Sequence, residues 1–131
     1  MSLEYLLLLS AFFSALLLLM PLVQRSYSLA LFGFDSRQAV SFSEEFSETV
    51  LQLSILADGS ALSIDARPLH EWNIIARGKT LSVSLRSESL GKTKDIETSL
   101  ATGVFFEKSF GEKTTIILKK NNGKLTIDSY P

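Results

Sequence analysis

The chain has 131 residues, enough for one domain, and its 13 basic and 14 acidic residues give a formal net charge of −1. A nucleic-acid-binding protein would need a concentrated excess of Lys and Arg, so this balance argues against nucleic acid as a partner. The chain contains no cysteine, which excludes disulfides, thiolate metal sites and a thiol nucleophile.

Residues 1–23 are predicted to form a transmembrane helix. Residues 6–23 carry no charge, and Ser10 and Ser14 are their only polar side chains. The 21 residues from Leu3 onward span about 30 Å as a helix, which matches the hydrocarbon core of a bilayer. A cleavable secretory signal is the alternative, with Ser28-Leu29-Ala30 as its cleavage site, but it would need a basic start and a shorter apolar stretch.

The residues just before the apolar run, Ser2-Leu3-Glu4-Tyr5-Leu6-Leu7-Leu8, form a recognisable pattern. This string resembles the class III signal of archaeal type IV pilin-like proteins, whose pattern is Q-x-S-x-E-x-x-x-L followed by an apolar helix. Ser2, Glu4 and Leu8 match that spacing, and the glutamine of the pattern would lie ahead of Met1. Pro21 is a second match, because type IV pilins often carry a proline seventeen residues after the glutamate.

The resemblance implies a structural subunit, a pilin or minor pilin-like protein, of an archaeal type IV pilus-like surface filament. Such a subunit is cut by a prepilin peptidase and assembles through its N-terminal helix with copies of itself or related pilins. Its Glu4 would be neutralised by a neighbour's N-terminal amine or would set the register between subunits. The implied location is the cell membrane, with an extracytoplasmic head, and then the extracellular filament.

The charged residues on either side of the span leave alternatives open for the role of Glu4 and for the orientation of the helix. Taken alone, Glu4 could simply lie in the lipid headgroup layer at the end of the span. Arg25 and Arg37, without basic residues on the other side of the span, would weakly favour a cytoplasmic head, and a basic leader would reverse that orientation.

Residues 24–58 are predicted to continue the helix in amphipathic form. Apolar residues recur at helical spacing in Phe42, Phe46, Val50, Leu53 and Ala57. Polar residues occupy the other faces, Gly33 could mark a bend, and Asp58-Gly59 is predicted to end the helix.

Residues 59–131 are predicted to form an antiparallel β-sheet head. Apolar and polar residues alternate along several segments, and about six strands result: around Ile64, Val83, Ile116 and Leu125, plus residues 93–100 and 104–110. Arg77-Gly78-Lys79 and Asn121-Asn122-Gly123 are predicted hairpin turns. The apolar face of this meander needs a cover, which the helix stripe and Trp72 would supply, so the predicted fold class is α+β.

The sequence shows no catalytic machinery, and neither an enzyme nor a cofactor is predicted. The only histidine, His70, lies beside Glu71 without a nucleophile motif or further metal ligands, so it is predicted to pack in a loop or at an edge. Phe105 and Ile117 could form an apolar patch for a neighbouring subunit or lie under a loop. The alternative function is a non-polymerising, membrane-anchored extracytoplasmic β module that binds the surface layer or another ligand.

Overall fold

The computed structural model describes residues 2–131 as one long helix and five strands. The elements in chain order are α1 Leu3–Ile55, β1 Ala61–Ala66, β2 Glu71–Ser87, β3 Lys92–Phe110, β4 Thr114–Asn121 and β5 Lys124–Tyr130. The predicted α+β fold, in which the second half of a long helix packs on an antiparallel β-meander, is confirmed.

Helix α1 has 53 residues and is about 80 Å long at 1.5 Å per residue. Neither Pro21 nor Gly33 interrupts it, although Pro21 has no N–H to donate to the carbonyl of Leu17. The helix ends at Ile55, two residues before the expected Ala57, because Leu56 adopts an extended backbone with φ −83° and ψ 161°.

The strands form two antiparallel sheets. One sheet has the order β1-β4-β5, and the other is the long hairpin β2-β3. The predicted turn at Asn121-Asn122-Gly123 joins β4 to β5, with positive φ at Asn122 (52°) and Gly123 (76°) as a type I′ turn requires. Since β1 pairs with β4, the β2-β3 hairpin is inserted between two strands of the other sheet.

The structure has five strands rather than six because the predicted strands at residues 93–100 and 104–110 are one strand, β3. The predicted turn at Arg77-Gly78-Lys79 is also wrong. Strand β2 runs through this segment, and a register shift occurs where Gly78 pairs with Val104 but Thr80 pairs with Ser99. Between these two pairs β3 contains more residues than β2, so the register shift is a β-bulge. Gly78, with its φ of 60°, lies at this bulge and not in a hairpin turn. The chain reverses later, where the N–H of Gly91 donates to the carbonyl of Glu88.

The core lies between the second half of α1 and the inner faces of both sheets. The Trp72 ring lies 5.8 Å from that of Phe42 and 6.5 Å from that of Phe110, measured between centroids. In β2 the inward positions change from even to odd numbers across the bulge, from Trp72, Ile74 and Ala76 to Leu81, Val83 and Leu85. The bulge therefore keeps both halves of the long hairpin facing the same core.

Replacement of a core residue on the helix should destabilise the head strongly. We expect Phe46→Ala to lower the free energy of unfolding by about 3–5 kcal/mol, because Phe46 is fully buried and its removal leaves a cavity. Denaturant unfolding in detergent micelles measures this difference. Phe105→Ala is the control, since Phe105 is 75% exposed and its loss should change stability by less than about 0.5 kcal/mol. Equal effects of the two variants would contradict the packing described.

Candidate functional site

The first half of α1 extends outside the head. All side chains of residues 2–27 are exposed, and burial against the head begins only beyond them. By length and composition this part of the helix can cross a membrane. Between residues 6 and 23 this surface consists of Leu, Phe, Ala, Val and Met apart from Ser10, Ser14 and Pro21, and water is a poor solvent for it.

The motif residues Ser2 and Glu4 lie at the N-terminus of this helix. Ser2 is the N-cap, and its hydroxyl accepts a hydrogen bond from the backbone N–H of Tyr5 at 3.4 Å. Glu4 lies in the first turn, where a carboxylate interacts favourably with the helix dipole. Leu8 is one turn further on the same face as Glu4 and is exposed.

Pro21 does not join this group. It lies seventeen residues after Glu4, about 26 Å further along the helix axis, and is exposed. The structure thus brings Ser2, Glu4 and Leu8 together at one end of the helix and leaves Pro21 near the other end of the apolar segment.

The residues predicted to pack the head on the helix are all in the core. Trp72 is buried, and so is the helix stripe of Phe42, Phe46, Val50 and Leu53. Ala57, the last member of the predicted stripe, is exposed because the helix ends before it. The polar positions Glu44, Glu45 and Glu48 face solvent.

The contact that sequence reasoning missed is a buried carboxylate on the helix, Asp35. Its Oδ1 accepts the backbone N–H of Leu69 at 2.9 Å, and its Oδ2 accepts the backbone N–H of His70 at 3.0 Å. The same Oδ2 lies 2.9 Å from Nδ1 of the His70 ring and accepts Nε1–H of Trp72 at 3.1 Å. We call this set of contacts the Asp35 clamp.

The Asp35 clamp joins the helix to the start of β2. Asp35 is completely buried, and a buried carboxylate is tolerated only when hydrogen bonds replace the water it loses. Four hydrogen-bond contacts from Leu69, His70 and Trp72 supply that replacement. The ring of His70 also contacts Phe32 edge to face, with centroids 5.7 Å apart, so the loop is fixed on both sides of Asp35.

The clamp has the Asp–His pairing that occurs in catalytic triads, but its third member is not found. In residues 2–131 the ring of His70 makes hydrogen bonds through Nδ1 only, and those residues contain no group of three potential metal ligands. The Asp35–His70 pair joins the loop before β2 to the helix.

The other end of the helix is held by the β4-β5 hairpin. The ammonium group of Lys120 donates to the carbonyls of Ser54 at 3.1 Å and Leu56 at 2.8 Å, which satisfies free acceptors at the helix C-terminus. The N–H of Gly123 donates to the carboxylate of Asp58 at 3.1 Å. The head is thus attached to α1 at both ends of their contact.

A sequence signal for the clamp existed. Asp35 is the only acidic residue between Glu4 and Glu44, and it stands directly after the apolar string Leu31-Phe32-Gly33-Phe34. A single acid inside an apolar helical segment needs donors, and Trp72 Nε1–H was available in the sequence. The pairing itself depends on contacts across more than thirty residues, which no local pattern contains.

Comparisons with known proteins give no relative on which a function could be based. No protein-family model matches the chain, and no curated protein or solved structure matches it significantly.

Loss of the Asp35 carboxylate should detach the loop before β2. We expect Asp35→Ala to lower the free energy of unfolding by about 3 kcal/mol, since each buried donor left without an acceptor costs about 1–3 kcal/mol. The fluorescence of Trp72, the single tryptophan, should shift to the red because the detached loop exposes its indole to water.

Glu48→Ala is the matched control, because Glu48 is an exposed acid on the same helix. It should leave both the unfolding curve and the emission spectrum unchanged. An Asp35→Ala protein with native stability and native emission would show that the clamp contributes nothing to the fold.

Proposed function

We propose that this protein is a pilin or minor pilin-like structural subunit of an archaeal type IV pilus-like surface filament. The observation that carries the proposal is the division of α1 into an exposed apolar half and a half that is built into a β-rich head. The apolar half would hold the subunit in the cell membrane and then pack with copies of itself in the filament. The head would remain on the outer surface.

The exposed apolar segment supports this proposal because its surface has to be covered. A bilayer covers it while the subunit is stored, and neighbouring apolar helices cover it in a filament. Both kinds of cover are apolar, so the segment can be apolar on every side, as residues 6–23 are.

The continuity of α1 supports the same proposal. The helix passes from the apolar segment into the core of the head without a break at Pro21 or Gly33. A filament spine needs such a rigid connection, because a flexible linker would let each head rotate independently of the helix core.

The second candidate is a non-polymerising, membrane-anchored β module that binds the surface layer or another ligand. The structural role of Ser2 as N-cap favours it, since a capping serine followed by a first-turn acid is a common way to begin any helix. In that case the roles of Ser2 and Glu4 at the start of the helix explain their presence without a peptidase or a neighbouring subunit.

A charge reversal at Glu4 tests the filament proposal. We expect Glu4→Lys and Glu4→Ala to insert in the membrane normally but to be absent from filaments, because the neighbour's N-terminal amine would lose its partner. The measurement is immunoblotting of membranes and of sheared surface filaments. Glu44→Lys is the charge-matched control on the exposed helix face within the head, and it should be incorporated. Filaments that contain the Glu4→Lys protein at normal levels would contradict the proposal.

Mass spectrometry of the native N-terminus separates the two candidates. A mature N-terminus at the residue directly ahead of Met1 would support the pilin. An N-terminus that begins at Met1 itself would support the anchored module.

A further inference from the structure

The head has an end that faces the apolar segment, which we call the base. It comprises residues 67–70, the β3-β4 turn at residues 111–113, and the end of β5. The register places these together, since Ala66 pairs with Thr114 and Thr115 pairs with Tyr130. The Asp35 clamp fixes the base on the part of the helix nearest the apolar segment, whereas the β4-β5 turn binds the opposite end of the helix.

Large apolar side chains are exposed at the base. Phe34 is 50% exposed and Leu69 is 51% exposed, although the backbone N–H of Leu69 is held by Asp35. Leu29 and Tyr130 are also exposed at this end. Because the Asp35 clamp already orders the loop, Leu69 can contact a partner without a further entropic cost for the backbone.

Charge is distributed unevenly along the helix. Arg25 and Arg37 are the only exposed charges of α1 between Glu4 and Glu44. Arg67 and Lys113 add positive charge at the base, and Glu71 and Glu112 are its exposed acids. Beyond the apolar segment, the exposed carboxylates of the helix begin at Glu44, about 32 Å from Val23 along the axis. Near the apolar segment the four exposed cations therefore outnumber the two exposed acids, whereas the exposed charges of the helix from Glu44 onward are all acidic.

We propose that the base is a second membrane-binding surface, which takes the anionic headgroups of the bilayer that the apolar segment crosses. Arg25, Arg67 and Lys113 would bind lipid phosphates, and Leu69 would enter the interfacial layer. This proposal requires a membrane-inserted helix but no filament, so it goes beyond the proposed function.

Contact of the base with lipid requires a tilted helix. An upright helix holds Leu29 about 9 Å beyond Val23 and Phe32, which packs against His70 beside Leu69, about 14 Å beyond it, whereas the headgroup layer is about 5–8 Å thick. Spanning helices tilt by about 20° on average, and a tilt toward the head would bring the base closer to the lipid surface. A second copy at the same height would present its own Arg25, Arg37 and Arg67, and like charges disfavour that occupant.

The test uses the full chain in phosphatidylcholine vesicles with and without phosphatidylglycerol. Because the chain has no cysteine, Leu69→Cys carries an environment-sensitive fluorophore as the only label. Ala57→Cys, which is exposed at the opposite end of the head, is the matched control site. Near-UV circular dichroism of both variants reports whether the head is folded.

When phosphatidylglycerol is present, we expect the emission of the label at position 69 to shift to the blue and to be quenched by nitroxide lipids. The emission of the label at position 57 should change in neither kind of vesicle. Arg67→Gln and Lys113→Gln should each weaken the phosphatidylglycerol-dependent signal about fivefold. Identical behaviour of the two labels would overturn the proposal. A signal at position 69 that follows the protein-to-lipid ratio and ignores phosphatidylglycerol would also overturn it, because contact between copies would then cover the base. Isolated subunits suffice for this experiment, so its outcome is independent of filament formation.

Discussion

The carboxylate of Asp35 determines how the head is attached to the helix. It is fully buried, and it accepts hydrogen bonds from the segment that leads from β1 into β2. A different rotation of the helix would leave the carboxylate without donors, and a different path of the loop would leave the Trp72 indole without an acceptor. Apolar packing along α1 tolerates small sliding, whereas this polar contact fixes one rotation and one height.

The exposure of the apolar segment follows from that attachment. The head begins at the level of Phe32 and Asp35 and ends at Lys120, which binds the helix C-terminus, so the head covers only the second half of α1. Residues 2–27 remain outside, and they form a surface for a bilayer or for other helices. The proposed filament subunit and the proposed anchored module differ in which of these covers the segment permanently.

Local patterns in the sequence were sufficient to predict the helix, its buried apolar stripe and the Asn122-Gly123 turn, because each depends on a period or a turn preference within a few residues. The predicted turn at Gly78 was wrong, since the same positive φ that suits a hairpin turn also suits a bulge, and only the partner strand decides between them. The predicted strands omit residues 71–76, which form the first part of β2. The Asp35 clamp was missed because its partners are more than thirty residues away.

The central claim is that α1 is one rigid helix from the apolar segment into the head. Its most direct test is the distance between spin labels at Leu8→Cys and Arg37→Cys, two exposed positions of the cysteine-free chain on either side of Pro21 and Gly33. A continuous helix predicts a single narrow distribution near 44 Å for the 29 intervening steps, measured in a lipid bilayer. A broad distribution, or one centred at a much shorter distance, would contradict a rigid spine.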